Sequence, residues 1–64
     1  MIVNGDEMSF NKDMTVKDLI LNLNLNTQTI VVEVNLNIIP KDQYESTSLH
    51  ENDKVEIINF VGGG

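Results

Sequence analysis

The chain has 64 residues, enough for one domain, and its ten acidic residues against four basic ones give a net charge of −6. This charge repels nucleic-acid phosphates and anionic membranes, so we expect neither nucleic acid nor a membrane as a partner. No segment approaches the roughly 20 apolar residues that span a bilayer, and we expect a cytoplasmic protein. There is no cysteine and only one histidine, which excludes a disulfide framework and a thiolate metal site. With so few reactive side chains, the chain is predicted to be the substrate of an enzyme rather than an enzyme itself.

The first predicted element is a β-hairpin. Residues 1–3 open as a strand, and Asn-Gly follows at positions 4 and 5. Asn-Gly is the strongest short hairpin signal, because a type I′ turn needs two residues that tolerate positive φ. Residues 7–10 form the predicted return strand, with Met8 and Phe10 on one face.

One amphipathic helix follows the hairpin. Thr15 is a favourable N-cap, and Asp18 three residues later predicts a capping box. The apolar residues that recur at helical spacing and form the predicted buried stripe are Val16, Leu19, Ile20 and Leu23. Asparagines at 22, 24 and 26 weaken helix propensity, so we expect the helix to end near residues 23–25.

Three further strands are predicted in the second half of the chain. Residues 30–34 form the first, because their apolar side chains alternate so that one face is buried. A turn at residues 35–37 leads to a short strand at residues 38–39, which Pro40 ends. Residues 41–44 form a helical turn.

The last strand, residues 54–60, has two apolar faces. One belongs to the core, and Ile58 and Phe60 lie on the other. With the helix on one side of the sheet, large apolar residues on the opposite side indicate a partner-docking patch, which Val61 extends. In the alternative interpretation, the twist of a small sheet or the loop at residues 45–53 covers these side chains.

The element order is therefore β-β-α-β-β-β. It predicts an α+β domain at residues 1–60, with a mixed sheet of four to five strands and one main helix packed across it. Residues 61–64 form a predicted flexible tail that ends in three glycines. Glycine lacks a Cβ, so a narrow channel can admit this tail, which reaches at most about 13–14 Å. A frayed and inert end is the alternative.

Three segments carry a resemblance to a known family. They are residues 35–44, which end in Pro-Lys-x-x-Tyr, residues 52–58, and the terminal stretch Phe60-Val61-Gly62-Gly63-Gly64. Together with the helix start at residues 15–20, they resemble the ThiS family of thiamine-biosynthesis sulfur carriers, which is related to ubiquitin and to the small subunit of molybdopterin synthase. The resemblance covers nearly the whole chain and implies a ubiquitin-like β-grasp fold.

The resemblance also implies a chemistry for the C-terminus. A ThiF-like activating enzyme would use ATP to adenylate the carboxylate of Gly64. Sulfur from a cysteine-desulfurase route would then replace AMP, and a ThiG-like thiazole synthase would accept sulfur from the resulting thiocarboxylate. Gly63 and Gly62 would thread into the partner's active site, and the carrier itself would bind no cofactor.

Other functions stay open at this point. The chain could be a carrier of the same fold for molybdopterin or another pathway, a protein modifier, or a non-catalytic interaction module. The remaining polar groups carry no clear chemistry. His50 is interpreted as a surface residue without a metal, the carboxylates at positions 51 and 53 as solvated, and Tyr44 as packed against the sheet edge.

Overall fold

A five-stranded sheet covered on one face by a single α-helix forms the described part of the chain. The computed structural model describes residues 1–60, and residues 61–64 lie outside the described residues. The strands are β1 (Ile2–Val3), β2 (Asp6–Glu7), β3 (Ile30–Val34), β4 (Asn37–Ile39) and β5 (Lys54–Asn59); the helix is α1 (Val16–Asn22), and Thr27–Thr29 and Lys41–Gln43 are 3-10 turns. The predicted β-β-α-β-β-β order is confirmed.

Strand β5 lies at the centre of the sheet, whose order is β2-β1-β5-β3-β4. It runs parallel to β1 and antiparallel to β3. The two hairpins, β1–β2 and β3–β4, are antiparallel and form the outer parts of the sheet. Within residues 1–60, no helix is long and apolar enough to cross a membrane.

The first hairpin turns where the sequence predicts. Asn4 and Gly5 have φ angles of 49° and 86°, the positive values that a type I′ turn needs at both central residues. The turn therefore closes directly onto Asp6, and the return strand β2 is Asp6–Glu7. The predicted return strand is present, but its predicted bounds, residues 7–10, are wrong.

The pairing register explains why β2 is short. The last backbone hydrogen bond of this pair runs from Met8 N to Met1 O at 2.8 Å. Residue 1 thus lies opposite residue 8, and Ser9 and Phe10 lie beyond this last hydrogen bond of the pair. Met8 and Phe10 still pack against the core as half-buried side chains.

Helix α1 begins with the predicted capping box. Thr15 Oγ1 accepts a hydrogen bond from Asp18 N at 3.2 Å, and Asp18 Oδ2 accepts one from Thr15 N at 2.9 Å. These two bonds satisfy donors that the first turn of a helix leaves without partners.

The helix ends at Asn22, one residue before the predicted range, with Leu23 as C-cap. Asn24 N donates to Leu21 O and Leu25 N donates to Ile20 O, both at 3.1 Å. This is the Schellman arrangement, and Asn24 takes the left-handed φ of 57° that the motif requires. An asparagine thus ends the helix by its backbone conformation as well as by low propensity.

The core lies between α1 and the facing side of the sheet. Its buried members from the helix and the strands are Val3, Val16, Leu19, Ile20, Ile30, Val32, Val34, Val55 and Ile57. Each fully buried side chain of this kind stabilises the fold by about 1.5–3 kcal/mol relative to exposure. Leu23, predicted in the stripe, is half-buried and packs at the margin of this cluster.

The β3–β4 turn consists of Asn35 and Leu36, whose φ angles are 51° and 70°. Strand β4 begins at Asn37, one residue earlier than predicted. Leu36 is 89% exposed. A large side chain in the left-handed region is uncommon, because Cβ approaches the following carbonyl oxygen.

The interpretation of Asp53 as a solvated carboxylate is wrong. Asp53 is buried, and its carboxylate accepts hydrogen bonds from His50 N at 2.7 Å and from Asn35 Nδ2 at 2.8 Å. Asn35 Oδ1 in turn accepts from Lys54 N at 3.0 Å. These bonds join the β3–β4 turn to the start of β5, and they need a carboxylate at position 53 because both partners donate. The side chain of His50 itself is exposed.

Candidate functional site: the open face of the sheet

The two faces of β5 have opposite environments. Val55 and Ile57 are buried against the helix layer, whereas Ile58 is 53% exposed and Phe60 is 59% exposed on the other side. We call the side of the sheet away from α1 the open face. Since both side chains are exposed, the alternative in which the loop at residues 45–53 covers them is wrong. Their role in docking stays a prediction.

The open face continues onto the neighbouring strands. Val31 lies opposite Ile58 in the β3–β5 pair, and Ile38 of β4, which is 66% exposed, lies one strand further out. Val31, Ile38 and Phe60 line one shallow groove. We call Val31, Ile38, Ile58 and Phe60 the apolar patch.

Sequence reasoning missed Val31 and Ile38 as members of this patch. The alternation of residues 30–34 could have placed Val31 opposite the core face, as it did for Ile58 on β5. The pairing that places Val31 beside Ile58, and Ile38 one strand further out, depends on the order of strands in the sheet. That order was not part of the sequence-based prediction.

Two carboxylates lie on the same face. Glu33 and Glu56 are directly opposed in the β3–β5 pair, and Glu33 is half-buried. Like charges in directly opposed positions of a sheet destabilise the pair. Among residues 1–60, neither carboxylate forms a salt bridge. The open face is therefore apolar and negatively charged at once.

The described part of the chain ends within the apolar patch, at Phe60. Strand β5 ends at Asn59 rather than at the predicted Phe60, although Phe60 N still donates to Thr29 O at 2.9 Å. The four residues that follow were predicted to extend the patch, thread into a partner and carry the reactive carboxylate; they are Val61, Gly62, Gly63 and Gly64. They lie outside the described residues, and their roles stay predictions.

The Pro-Lys-x-x-Tyr element has a structural role. Pro40 precedes the 3-10 turn Lys41–Gln43, and Tyr44 O accepts a hydrogen bond from Lys17 N at 3.0 Å. Tyr44, predicted to pack against the sheet edge, is buried in the core cluster, and desolvation by this burial raises the pKa of its hydroxyl above the ordinary value of 10.0. The element therefore fixes the end of β4 against the start of α1.

No metal centre is visible in the part of the chain that the structure describes, since residues 1–60 hold no group of three or more potential metal ligands. His50 Nδ1 lies 3.6 Å from Asp53 Oδ2. This contact belongs to the hydrogen-bonded turn before β5.

The fold and the site together define a ubiquitin-like β-grasp domain with an exposed apolar patch that includes Phe60, the last described residue. The model of the ThiS family matches residues 1–64. The chain therefore belongs to the ThiS family, and the predicted family resemblance is confirmed.

Similar proteins agree with this membership. The sulfur carrier protein ThiS of Bacillus subtilis (strain 168) is 38% identical over 63 residues, which are 97% of this chain and 96% of that protein. A thiazole synthase of Paramagnetospirillum magneticum is 39% identical over 64 residues, and the chain spans 20% of its length.

A solved structure confirms the predicted β-grasp fold class. The crystal structure of the thiamine biosynthesis protein (ThiS) from Geobacter metallireducens matches with a TM-score of 0.81 at 26% identity, and covers 98% of this chain and 96% of that chain.

Proposed function

We propose that this chain is the sulfur carrier for thiazole formation in thiamine biosynthesis, with the carboxylate of Gly64 as its working group. The observation that carries the proposal is the match to the Bacillus subtilis protein named a sulfur carrier, which extends over nearly the full length of both chains. The closing glycines fall within the segment that the family model matches.

The proposed chemistry takes place on the C-terminus and in partner enzymes. A ThiF-like enzyme transfers AMP from ATP to the Gly64 carboxylate and releases pyrophosphate, which converts a poor electrophile into a mixed anhydride. A persulfide from a cysteine-desulfurase route then displaces AMP and forms an acyl disulfide with the Gly64 carbonyl. A thiol reduces the S–S bond of this acyl disulfide, which releases the thiocarboxylate and leaves the second sulfur in a disulfide with that thiol. The thiocarboxylate is a stronger nucleophile than the carboxylate, as group transfer requires. We further propose a cytoplasmic location, because the activation step consumes ATP.

Thiazole synthase is the proposed acceptor of the sulfur. In the relative from Paramagnetospirillum magneticum, a segment similar to this chain makes up a fifth of a protein named thiazole synthase. A carrier domain and its acceptor enzyme thus occur within one chain there, which supports the same pairing for the separate domain. The apolar patch would hold the domain against the acceptor while residues 61–64 reach the active site.

Intact-mass measurement tests this proposal. The full chain is incubated with its adenylating enzyme, ATP, a cysteine desulfurase, cysteine and a thiol reductant. We expect a mass gain of about 16 Da, because sulfur replaces one oxygen of the Gly64 carboxylate. A chain that lacks the last two residues is the control and should gain nothing. An unchanged mass of the full chain, with no AMP adduct, would contradict the proposal.

A further inference from the structure

Two carboxylates interrupt the apolar surface of the open face. Glu33 lies directly opposite Glu56 on β5 and directly opposite Ile38 on β4. Directly opposed residues in an antiparallel pair have Cβ atoms roughly 4.5–5.5 Å apart. Ile58 follows Glu56 on the same face of β5. The two acidic side chains thus stand side by side with Ile38 and Ile58 as neighbours.

The domain does not neutralise this pair with its own lysines. Lys17 lies 3.9 Å from Glu45, and Lys41 donates to the side chain of Gln28. Lys54 shares the face with Glu56, yet within residues 1–60 no lysine comes within salt-bridge distance of Glu33 or Glu56. The two negative charges therefore repel each other without an internal counterion.

Docking of any partner on the apolar patch would remove water from these carboxylates. Desolvating a charge is strongly unfavourable unless an opposite charge and hydrogen bonds replace the water. One cation bound between Glu33 and Glu56 would form an ion pair with both carboxylates. A guanidinium suits this position, because it is always charged, weakly hydrated, and offers five N–H donors in a planar fork that can reach two carboxylates.

We propose that the surface of thiazole synthase that covers the open face places an arginine between Glu33 and Glu56, with aliphatic side chains around it against Ile38 and Ile58. This inference rests on the proposed function, since it assigns chemistry to the partner named there. The two carboxylates then specify the partner and its orientation, and the apolar patch supplies the contact area.

Binding to the separately purified thiazole synthase tests the pairing. The double variant Glu33→Gln/Glu56→Gln keeps the shape of both side chains and removes both charges. We expect its affinity to fall by about five- to fifty-fold, and its dependence on salt to weaken. The control, Asp13→Asn/Glu45→Gln, removes two charges on the helix side of the domain, near Leu21 and Lys17. Its affinity should stay within about twofold of the wild type.

Two further measurements test the repulsion between Glu33 and Glu56 and the identity of the partner's cation. Removing the repulsion should raise the melting temperature of the Gln double variant by about 1–5 °C. Phenylglyoxal labels arginine, and peptide mapping of thiazole synthase should reveal one arginine that the wild-type carrier protects and the Gln variant does not. A lower melting temperature, or protection of lysines alone under a lysine-selective reagent, would contradict the inference.

The failure of this inference can be told apart from the failure of the proposed function. If wild-type chain gains sulfur and the Gln variant binds thiazole synthase as tightly as wild type, the arginine pairing is wrong and the carrier function stands. If the wild-type chain neither gains sulfur nor binds thiazole synthase, both are wrong.

Discussion

Leu36 occupies the second position of the β3–β4 turn with a φ of 70°. The left-handed conformation costs about 1–2 kcal/mol for a residue with a Cβ, and glycine avoids this cost but loses about 0.5–1 kcal/mol through backbone entropy. We expect Leu36→Gly to raise the free energy of unfolding by about 0.5–1 kcal/mol, as measured by urea denaturation.

The control for this prediction is Leu36→Ala, which removes the same exposed side chain but keeps Cβ. Its free energy of unfolding should stay close to that of the wild type, because the side chain is 89% exposed and contributes little packing. An equal gain in both variants would show that the exposed side chain, and not the backbone conformation, reduces stability.

Burial of Tyr44 links its ionisation to stability at high pH. Desolvation raises the pKa of the hydroxyl in the folded chain above 10.0, so the unfolded chain loses this proton first as the pH rises. The stabilising contribution is full below the unfolded pKa and disappears as the pH passes through the folded pKa. Between about pH 9 and about pH 11, the wild type should therefore lose more free energy of unfolding than Tyr44→Phe. Parallel losses in both chains would contradict this assignment.

At the scale of elements, the capping box supports the only α-helix within residues 1–60. Thr15→Ala removes the acceptor for Asp18 N and should lower the free energy of unfolding by about 1 kcal/mol. Thr15→Ser keeps the hydroxyl and should restore most of this loss. Urea denaturation of the three chains measures the effect, and an equally large loss in the Ser variant would show that the methyl group matters instead.

Local patterns predicted most of these elements. The capping box at Thr15, the Asn4-Gly5 turn and the alternation of residues 30–34 each depend on neighbours in sequence, and the structure confirms all three. The extent of β2 depends on pairing with β1 across the hairpin. A register is a relation between two segments, and the pattern of one segment does not contain it.

Sequence patterns also predicted only part of the candidate site, because some of its residues meet only through strand pairing. Ile58 and Phe60 were found because they alternate along one strand, while Val31 and Ile38 join them only through the sheet order. The burial of Asp53 depends on Asn35, eighteen residues away. The glycine tail was recognised from composition and from the family resemblance.

For the molecule as a whole, the open face and the helix face should respond differently to added charge. Phe60 on the open face and Leu21 on the helix are both 59% exposed. We expect Ile58→Asp and Phe60→Asp to weaken binding to the proposed adenylating enzyme at least about tenfold, because an unpaired charge would enter an apolar interface. Circular dichroism should show that both variants stay folded.

Leu21→Asp is the matched control for this prediction. It adds the same charge to an equally exposed apolar residue on the opposite side of the domain. Its affinity should stay near that of the wild type. Equal losses in Leu21→Asp and Phe60→Asp would indicate that net charge, rather than the apolar patch, governs association.

The parallel pairing of β1 with β5 has a mechanical consequence. Ile2 N donates to Asp53 O at 3.0 Å, Asn4 N donates to Val55 O at 2.9 Å, and Ile57 N donates to the side chain of Asn4 at 2.7 Å. Because the two strands run in the same direction side by side, tension applied between residues 1 and 60 loads these bonds together, in shear. Peeling would break them one at a time at a lower force. An unfolding enzyme that pulls on the C-terminus must therefore break the hydrogen bonds at the centre of the sheet before it can unfold the domain.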